Sequence, residues 1–203
     1  KFKLTKIDFQ IAMELKQELF NLGFNFKEGK DETIELYGLP ADVKPNFRVL
    51  SLDIECALSG ELFCIGLQLS QEGKPTLERV LMVGEPEPYD EPFTIEWVAD
   101  EKQLLQALER QLLALDPDLI IGWNVVNFDF RLLIQRGALH HLPMRWGRGG
   151  AKVRWREGHD ERQGQVLLAG RVVLDGVATL KSATWQFDSY SLEAVAQQLL
   201  GRG

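Results

Sequence analysis

Apolar residues recur along this chain at two spacings, and the shorter spacing predicts a set of strands. Apolar runs cover 47–55, 61–69 and 77–83. The turns between them carry Ser59-Gly60 and then Glu72-Gly73-Lys74-Pro75, which are typical turn sequences. Three strands joined by short turns of this kind predict an antiparallel meander.

Helical spacing begins after a Pro-rich acidic loop at 84–92. The segment Asp100 to Gln103 is a capping-box pattern, and it stands ahead of leucines at 104, 105, 108, 112 and 113, which predicts an amphipathic helix. The run 118–123 then predicts a short buried strand, and 128–138 predicts a second helix. A strand, a crossover helix and another strand form the parallel half of a mixed sheet. The predicted fold class is therefore α/β, with an antiparallel meander and parallel strands flanked by helices.

Residues 1–45 differ from the rest in pattern. Apolar residues at helical spacing predict a helix over 8–22, with Gly23 as its stop. The stretch 37–45 contains one glycine and two prolines and predicts a linker. We therefore place a domain boundary near Asn46, with one unit over 1–45 and another over 46–203.

Composition limits the classes of protein. The 203 residues are 45% hydrophobic, which suits a globular core, and they carry a formal net charge of −7, which counts weakly against nucleic-acid binding. Cys56 and Cys64 show neither metal-ligand spacing nor a disulfide framework, so we expect free thiols. No signal peptide or membrane span is evident. We expect a soluble protein of the cytoplasm, and a segment of a larger chain because it begins at Lys1.

The first candidate for chemistry is the pair Asp53 and Glu55 at the end of a buried strand. Alternate side chains of a strand share a face, so the two carboxylates point the same way. Two negative charges on neighbouring side chains of one face repel each other, and a divalent cation such as Mg²⁺ or Mn²⁺ relieves the repulsion. The alternative is that the strand ends at Asp53 and both acids are solvated.

The second candidate is Asp129, which follows the predicted strand 118–123 at the start of a helix. Active sites of open α/β sheets gather at the carboxyl ends of their strands, where this acid falls. Asp129 could equally interact with the helix dipole, and Asn127 could be a simple helix cap. The combination of two acidic strand ends favours a functional site over either feature alone.

These residues carry a resemblance to a known family. Ser51-Leu-Asp53-Ile-Glu55 resembles the first exonuclease motif of family B DNA polymerases, and Asn124-Val-Val-Asn-Phe128-Asp129 is similar to the second. The blocks 142–148, 170–175 and 189–200 resemble the corresponding stretch of bacterial members of that family. The resemblance covers nearly all of 46–203, and it implies that 1–45 is the tail of a polymerase amino-terminal domain.

The resemblance implies a ribonuclease H-like fold and a 3′ to 5′ proofreading exonuclease that uses two Mg²⁺ or Mn²⁺ ions. It implies that Asp53 bridges the two ions, that Glu55 holds the tighter ion and orients water, and that Asp129 binds the outer ion. It also implies that Asn124 and Phe128 place the 3′-terminal nucleotide. The implied partners are single-stranded 3′ ends, primer-template DNA, the rest of the polymerase chain and a sliding clamp, with no membrane. The implied location is the nucleoid.

The family's third motif is missing from these 203 residues. It consists of Tyr with Asp four residues later, or of His with Asp five residues later. The residues found at those positions are not acids: Ala41, Phe93 and Ala194 after the tyrosines, and Arg145, Trp146 and Gly164 after the histidines. In the family this motif lies beyond the block that ends this sequence, so we expect an exonuclease domain over 46–203 that is truncated before its third motif. We therefore expect an incomplete site and little exonuclease activity from this chain alone. A vestigial, non-catalytic module that binds DNA or a partner is the alternative.

Two further features remain open. The segment 145–162 has a local excess of basic residues interleaved with Trp146 and Trp155, which suits single-stranded DNA, but a solvated hairpin whose rings pack on the sheet is about equally supported. Asp175 ends the apolar run 172–174, and we expect it to have a strand-end or turn role rather than a catalytic one.

Overall fold

In a computed structural model of the protein, the described residues are 2–4, 24–28, 34–38, 44–158, 164–183 and 185–201. The chain divides into two compact units, 1–45 and 46–203. The first contains three short strands, β1 (Phe2–Leu4), β2 (Phe24–Glu28) and β3 (Ile34–Gly38), in an antiparallel sheet of order β1-β3-β2.

Two sequence predictions fall in this first unit. The predicted helix over 8–22 lies outside the described residues. The predicted linker starts too early, because Tyr37 and Gly38 pair with Asn25 and Phe24 of the neighbouring strand and so belong to β3. The assignment of 1–45 to a polymerase amino-terminal domain stays a prediction.

The second unit is built on a six-stranded mixed sheet of order β11-β8-β4-β5-β6-β7. The first four of these strands along the chain are β4 (Val49–Cys56), β5 (Leu62–Ser70), β6 (Leu77–Val83) and β7 (Thr94–Val98). The other two are β8 (Leu119–Gly122) and β11 (Val172–Asp175). Strands β4, β5 and β6 form the predicted antiparallel meander. Parallel pairs join β4 to β8, β8 to β11 and β6 to β7, which confirms the predicted α/β mixed sheet.

Four α-helices, one hairpin and two short helical turns, Val126–Phe130 and Arg148–Gly150, complete the described part of this unit. The helices are α1 (Glu101–Leu115), α2 (Arg131–Leu139), α3 (Gly176–Ser182) and α4 (Leu192–Leu200). The hairpin pairs β9 (Arg154–Arg156) with β10 (Gln165–Leu167). Strand β7 was not predicted, because its five residues Thr-Ile-Glu-Trp-Val alternate over too short a span between a Pro-rich loop and a helix cap.

Helix α1 begins where the sequence predicts, because the Asp100 carboxylate accepts a hydrogen bond from the Gln103 backbone N–H at 2.7 Å. Its leucines at 104, 105, 108 and 112 are fully buried, whereas Leu113 is half exposed. They pack with Leu50, Leu52 and Ile54 of β4 in one core. Burial of each such side chain is worth roughly 1.5–3 kcal/mol, so this core fixes the strands whose ends carry the acids.

Two expectations from composition bear on the described residues. Cys56 and Cys64 are free thiols, as predicted. Within the described ranges, no helix is long and apolar enough to cross a membrane.

Candidate nuclease site

The site begins with the two acids of β4. Asp53 and Glu55 are exposed and lie on one face of the sheet. Leu52, which precedes Asp53, and Ile54, which lies between the two acids, are buried on the other face. The strand continues through both acids to Cys56, so the alternative in which it ends at Asp53 is wrong. The prediction that the two carboxylates point the same way is confirmed.

Strand β8 ends early beside β4, and this creates the space for a third acid. The parallel pairing of β8 with β4 runs only from Val49 to Ser51, so the later residues of β4 extend past the end of β8. Gly122 is the last residue of β8, and a Cβ atom there would lie 2.6 Å from the Leu52 carbonyl oxygen. Only glycine allows the strands to approach this closely.

The chain turns back after Gly122 through Asn124, whose φ of 57° is left-handed. Asparagine tolerates this conformation better than most residues do. The turn leads into a single π-helical turn, Val126–Phe130, in which the Phe130 N–H donates to the Val125 carbonyl at 2.8 Å. We call this segment the π-turn. The sequence predicted helix from residue 128, but the α-helix proper starts at Arg131.

The π-turn brings Asp129 back to the free edge of β4. Asp129 is 1% exposed, and its Oδ1 accepts a hydrogen bond from the Ile54 backbone N–H at 3.1 Å. Burial raises the pKa of Asp129 to about 7, and the negative charge of Asp53 adds to this effect. Two acids that stand 76 residues apart in sequence therefore interact directly through their charges.

Asp175 ends β11 in the register position next to Gly122. It is 5% exposed, and its carboxylate accepts hydrogen bonds from the Val126 N–H and the Ala178 N–H, both at 3.1 Å. The second bond caps α3. The predicted strand-end or turn role of Asp175 is confirmed, although the contact with the π-turn has no signal in the sequence.

The two predicted substrate residues are both exposed on this side of the sheet. Phe128 is 47% exposed and lines a cleft of about 550 Å³. The other lining residues are Cys56, Ala57, Leu58, Gly60, Asn127, Arg131, Leu132 and Gln135. Asn124 is not among the residues that line this cleft.

The acids Asp53, Glu55 and Asp129 fit a divalent cation in part. Among the described residues, none forms a salt bridge with Asp53, Glu55 or Asp129. A buried carboxylate beside a second carboxylate is the donor set that a hard divalent ion prefers. However, the described residues include no group of three acids, histidines or cysteines spaced to hold one ion.

The basic segment 145–162 is divided between core and surface. Trp146 is fully buried and packs against Phe130 with ring centroids 6.2 Å apart, so it is a core residue and not a platform for bases. Trp155 lies on the β9–β10 hairpin, with the Arg131 guanidinium 5.9 Å from its ring centroid. Residues 159–163 lie outside the described part of the chain. The hairpin touches the π-turn, because the Gly164 N–H donates to Asn127 Oδ1 at 3.1 Å.

Comparison with known families decides what kind of domain this geometry belongs to. The sequence profile of DNA polymerase family B, exonuclease domain, matches residues 32–195. The chain belongs to this family. The match includes Asp53, Glu55 and Asp129 in one domain, and the ribonuclease H-like α/β fold expected from the resemblance agrees with the mixed sheet.

Individual relatives of the exonuclease domain are DNA polymerases. DNA polymerase II of Escherichia coli (strain K12) is 42% identical over 167 residues, which cover 80% of this chain and 20% of the relative. The DNA polymerase delta catalytic subunit of Mesocricetus auratus is 31% identical over 179 residues, covering 76% of this chain and 16% of the relative. The DNA polymerase of Pyrococcus horikoshii is 29% identical over 113 residues, covering 56% and 9%. The chain spans a fifth or less of each of these relatives.

Proposed function

We propose that this exonuclease domain hydrolyses the 3′-terminal phosphodiester of DNA in the 3′ to 5′ direction, as the proofreading part of a DNA-directed DNA polymerase. The observation that carries the proposal is Asp129, a buried acid without a described basic partner, set beside the charge of Asp53. The family membership and the polymerase relatives support the choice of DNA as substrate.

Each acid has a separate place in the proposed site. Asp53 and Glu55 are offered to solvent from one face of β4, whereas Asp129 approaches from the end of β8. Asp53 would hold both of two Mg²⁺ or Mn²⁺ ions, Glu55 one of them together with a water molecule, and Asp129 the other. Ions bound there would supply charge stabilisation for the attacking and leaving oxygens of the phosphate.

The residues of the chain itself prepare this site. The Ile54 N–H fixes the orientation of the Asp129 carboxylate through one oxygen, which leaves the second oxygen for a ligand. The repulsion between Asp53 and Asp129 is relieved when a cation binds, so part of the binding free energy comes from removing this repulsion.

Asn124 and Phe128 are the proposed contacts for the terminal nucleotide. The exposed ring of Phe128 offers a flat apolar face to a sugar or base at the cleft beside Arg131. The exposed Asn124 side chain would then contact the nucleotide from outside that cleft.

The remaining proposals concern the protein to which the domain belongs. We propose that its partners are primer-template DNA, the rest of a polymerase chain and a sliding clamp, that it takes part in DNA replication and repair, and that it works in the bacterial cytoplasm at the nucleoid. The likeness to DNA polymerase II of Escherichia coli supports these proposals.

One observation favours a second candidate, a non-catalytic module with vestigial acids. The described residues do not contain a three-member metal cluster. On either proposal we expect little nuclease activity from this chain alone, so metal binding separates the two better than activity does.

The test is a calorimetric titration of the chain with Mn²⁺, alongside Asp53→Ala and Asp129→Asn. Asp90→Asn is the matched control, because it removes one charge from an exposed acid that is not one of the proposed ligands. We expect binding that is lost in both site variants and kept in the control. Binding that survives Asp53→Ala, or its absence from the unaltered chain, would contradict the exonuclease proposal and favour the vestigial module.

A further inference from the structure

We propose that Asp175 is a positioning residue for Asp129: it anchors the first residue of the π-turn and so keeps the Asp129 carboxylate at the edge of β4. The inference rests on the proposed function only in treating Asp129 as a ligand for metal. Its geometric part concerns the protein without metal.

The contacts of Asp175 exceed what a helix cap requires. Its Oδ1 accepts the Ala178 N–H and caps α3, while its Oδ2 accepts the Val126 N–H. A serine or asparagine can cap a helix as well as an aspartate does, because capping uses one acceptor atom. Asp175 uses both of its carboxylate oxygens because the second N–H, that of Val126, belongs to the π-turn and not to α3.

The hydrogen bonds form a continuous path from β11 to β4. Asp175 binds Val126, the first residue of the π-turn, and Asp129 of the same turn binds the Ile54 N–H at 3.1 Å. All four residues are at most 6% exposed. Water therefore cannot easily replace the Asp175 contact, and loss of this contact leaves a buried N–H without a partner.

The π-turn contains both Val126, which bonds to Asp175, and Asp129, which bonds to Ile54, so a change at Val126 affects Asp129. Val126 and Asp129 are three residues apart in one turn with the π-type hydrogen bond at its start. A π-turn is rarer and less intrinsically stable than an α-helical turn, so outside contacts help to decide its shape. If the Val126 end relaxes, the Asp129 carboxylate moves away from Ile54.

Asp175→Ser separates the two contacts. Serine keeps the cap on α3 but is too short to reach Val126 as well. The matched control is Asp100→Ser at the start of α1, where the aspartate side chain accepts only the Gln103 N–H. Asp129→Ala is the reference for complete loss of the bond to Ile54.

The readout is amide hydrogen exchange at Ile54 in the protein without metal. We expect exchange in Asp175→Ser to be at least about tenfold faster at Ile54 and Val126, approaching the rate in Asp129→Ala, with Ala178 unchanged. Asp100→Ser should leave Ile54 unchanged. Unchanged exchange at Ile54 in Asp175→Ser would overturn the inference and reduce Asp175 to a helix cap.

A Mn²⁺ titration of Asp175→Ser adds a functional readout. Residues that orient a metal ligand change affinity by roughly 10–100-fold, and we expect a weakening in that range with Asp100→Ser unaffected. Failure of the unaltered chain to bind Mn²⁺ would contradict the proposed function, whereas the exchange result at Ile54 tests the positioning by itself. If Asp175→Ser does not fold, Asp175→Asn carries the same test, because its amide also has only one acceptor oxygen.

Discussion

The two ends of β4, β8 and β11 carry acids in opposite electrostatic settings. At the amino ends, Asp116 and Asp118 face three arginines: Arg48, Arg148 and Arg171. Asp116 is 2.6 Å from Arg48 and 2.8 Å from Arg148, and Asp118 is 2.6 Å from Arg148. At the carboxyl ends, Asp53, Asp129 and Asp175 are not paired with any arginine or lysine of the described residues.

The ionisation of the acids follows from this difference. Hydrogen bonds from Arg148 lower the pKa of both Asp116 and Asp118. At the other end, burial raises the pKa of Asp129 to about 7, and Asp53 adds to the shift. The acids that are paired with arginines thus have lowered pKa values, whereas the buried Asp129, which has no basic partner among the described residues, has a raised pKa.

We call the amino ends, where arginines pair with Asp116 and Asp118, the compensated end, and the carboxyl ends, where Asp53, Asp129 and Asp175 lie, the uncompensated end. The largest expected effect comes from removing an arginine of the compensated end. The Arg171 side chain is 1% exposed and donates to Asp116 and to the carbonyls of Leu112, Trp146 and Pro117. Arg171→Ala leaves the buried Trp146 and Pro117 carbonyls without this donor and removes one of the three arginines that hold Asp116, so we expect a loss of about 3–5 kcal/mol in the free energy of unfolding. Urea denaturation measures it.

The control for that variant is Arg110→Ala. The Arg110 side chain is 60% exposed in its ion pair with Glu96, so its loss should cost about 0–1 kcal/mol. Equal losses in the two variants would mean that burial does not distinguish the arginines of the amino-end network from surface arginines.

Another acid with a basic partner, Glu101, extends the comparison to pH. Burial acts to raise its pKa, but hydrogen bonds from Arg136, His140 and the Leu62 N–H outweigh burial and lower the pKa to about 2. A lowered pKa stabilises the fold above the unfolded value of about 4.5 and loses this contribution as pH falls toward 2. We expect Glu101→Gln to cost about 2–3 kcal/mol at pH 7 and much less at pH 2.

Denaturation of both proteins across that pH range is the measurement. Glu109→Gln is the control, since Glu109 is a half-buried acid on the same helix. A difference between Glu101→Gln and the unaltered protein that stays constant from pH 2 to 7 would contradict the assignment.

The sequence predicted the scaffold well because each element has a strong local signal. The meander follows from apolar runs and turn residues, and α1 follows from its leucine spacing and the Asp100 cap. Strand β7 was not predicted from the sequence, because it gains its stability from pairing with β6 and not from its own five residues. The sequence left open whether the ring of Trp146 packs on the sheet or stacks on bases, because an aromatic residue among basic ones does not show which way its ring points; the structure buries it.

The site could be predicted only in part, because only some of its contacts are set by the local sequence. The shared face of Asp53 and Glu55 is a local property of β4, and the sequence shows it. The bond from Ile54 to Asp129 depends on where β8 stops, and the bond from Asp175 to Val126 depends on the register of β11 with β8. These are long-range properties of the sheet, which a single sequence without neighbours does not specify.

The uncompensated end should respond to a charge change in the opposite direction. Because the pKa of Asp129 is raised, the folded protein without metal is favoured below the unfolded value of about 3.8 and loses stability as pH rises through about 7. Asp129→Asn removes the charge, so we expect it to stabilise the metal-free protein by on the order of 1–3 kcal/mol at pH 8 and to have little effect at pH 3.5.

Urea denaturation in the presence of a chelator measures this effect. The control is Asp118→Asn, which removes an acid from the compensated end and should destabilise at pH 8. If both variants destabilise, the two ends do not differ in the way that their partners indicate.

The smallest expected effect concerns the coupling between Asp53 and Asp129. The charge of Asp53 is the second cause of the raised Asp129 pKa, after burial, so Asp53→Asn should lower the pKa of Asp129 without restoring its ordinary value. A carbon-detected NMR titration of the Asp129 carboxyl follows it, with Asp90→Asn as the control for loss of one exposed charge outside the proposed site. An Asp129 pKa that does not move in Asp53→Asn would show that burial alone sets it, and the case for one shared cation between these two acids would lose its electrostatic basis.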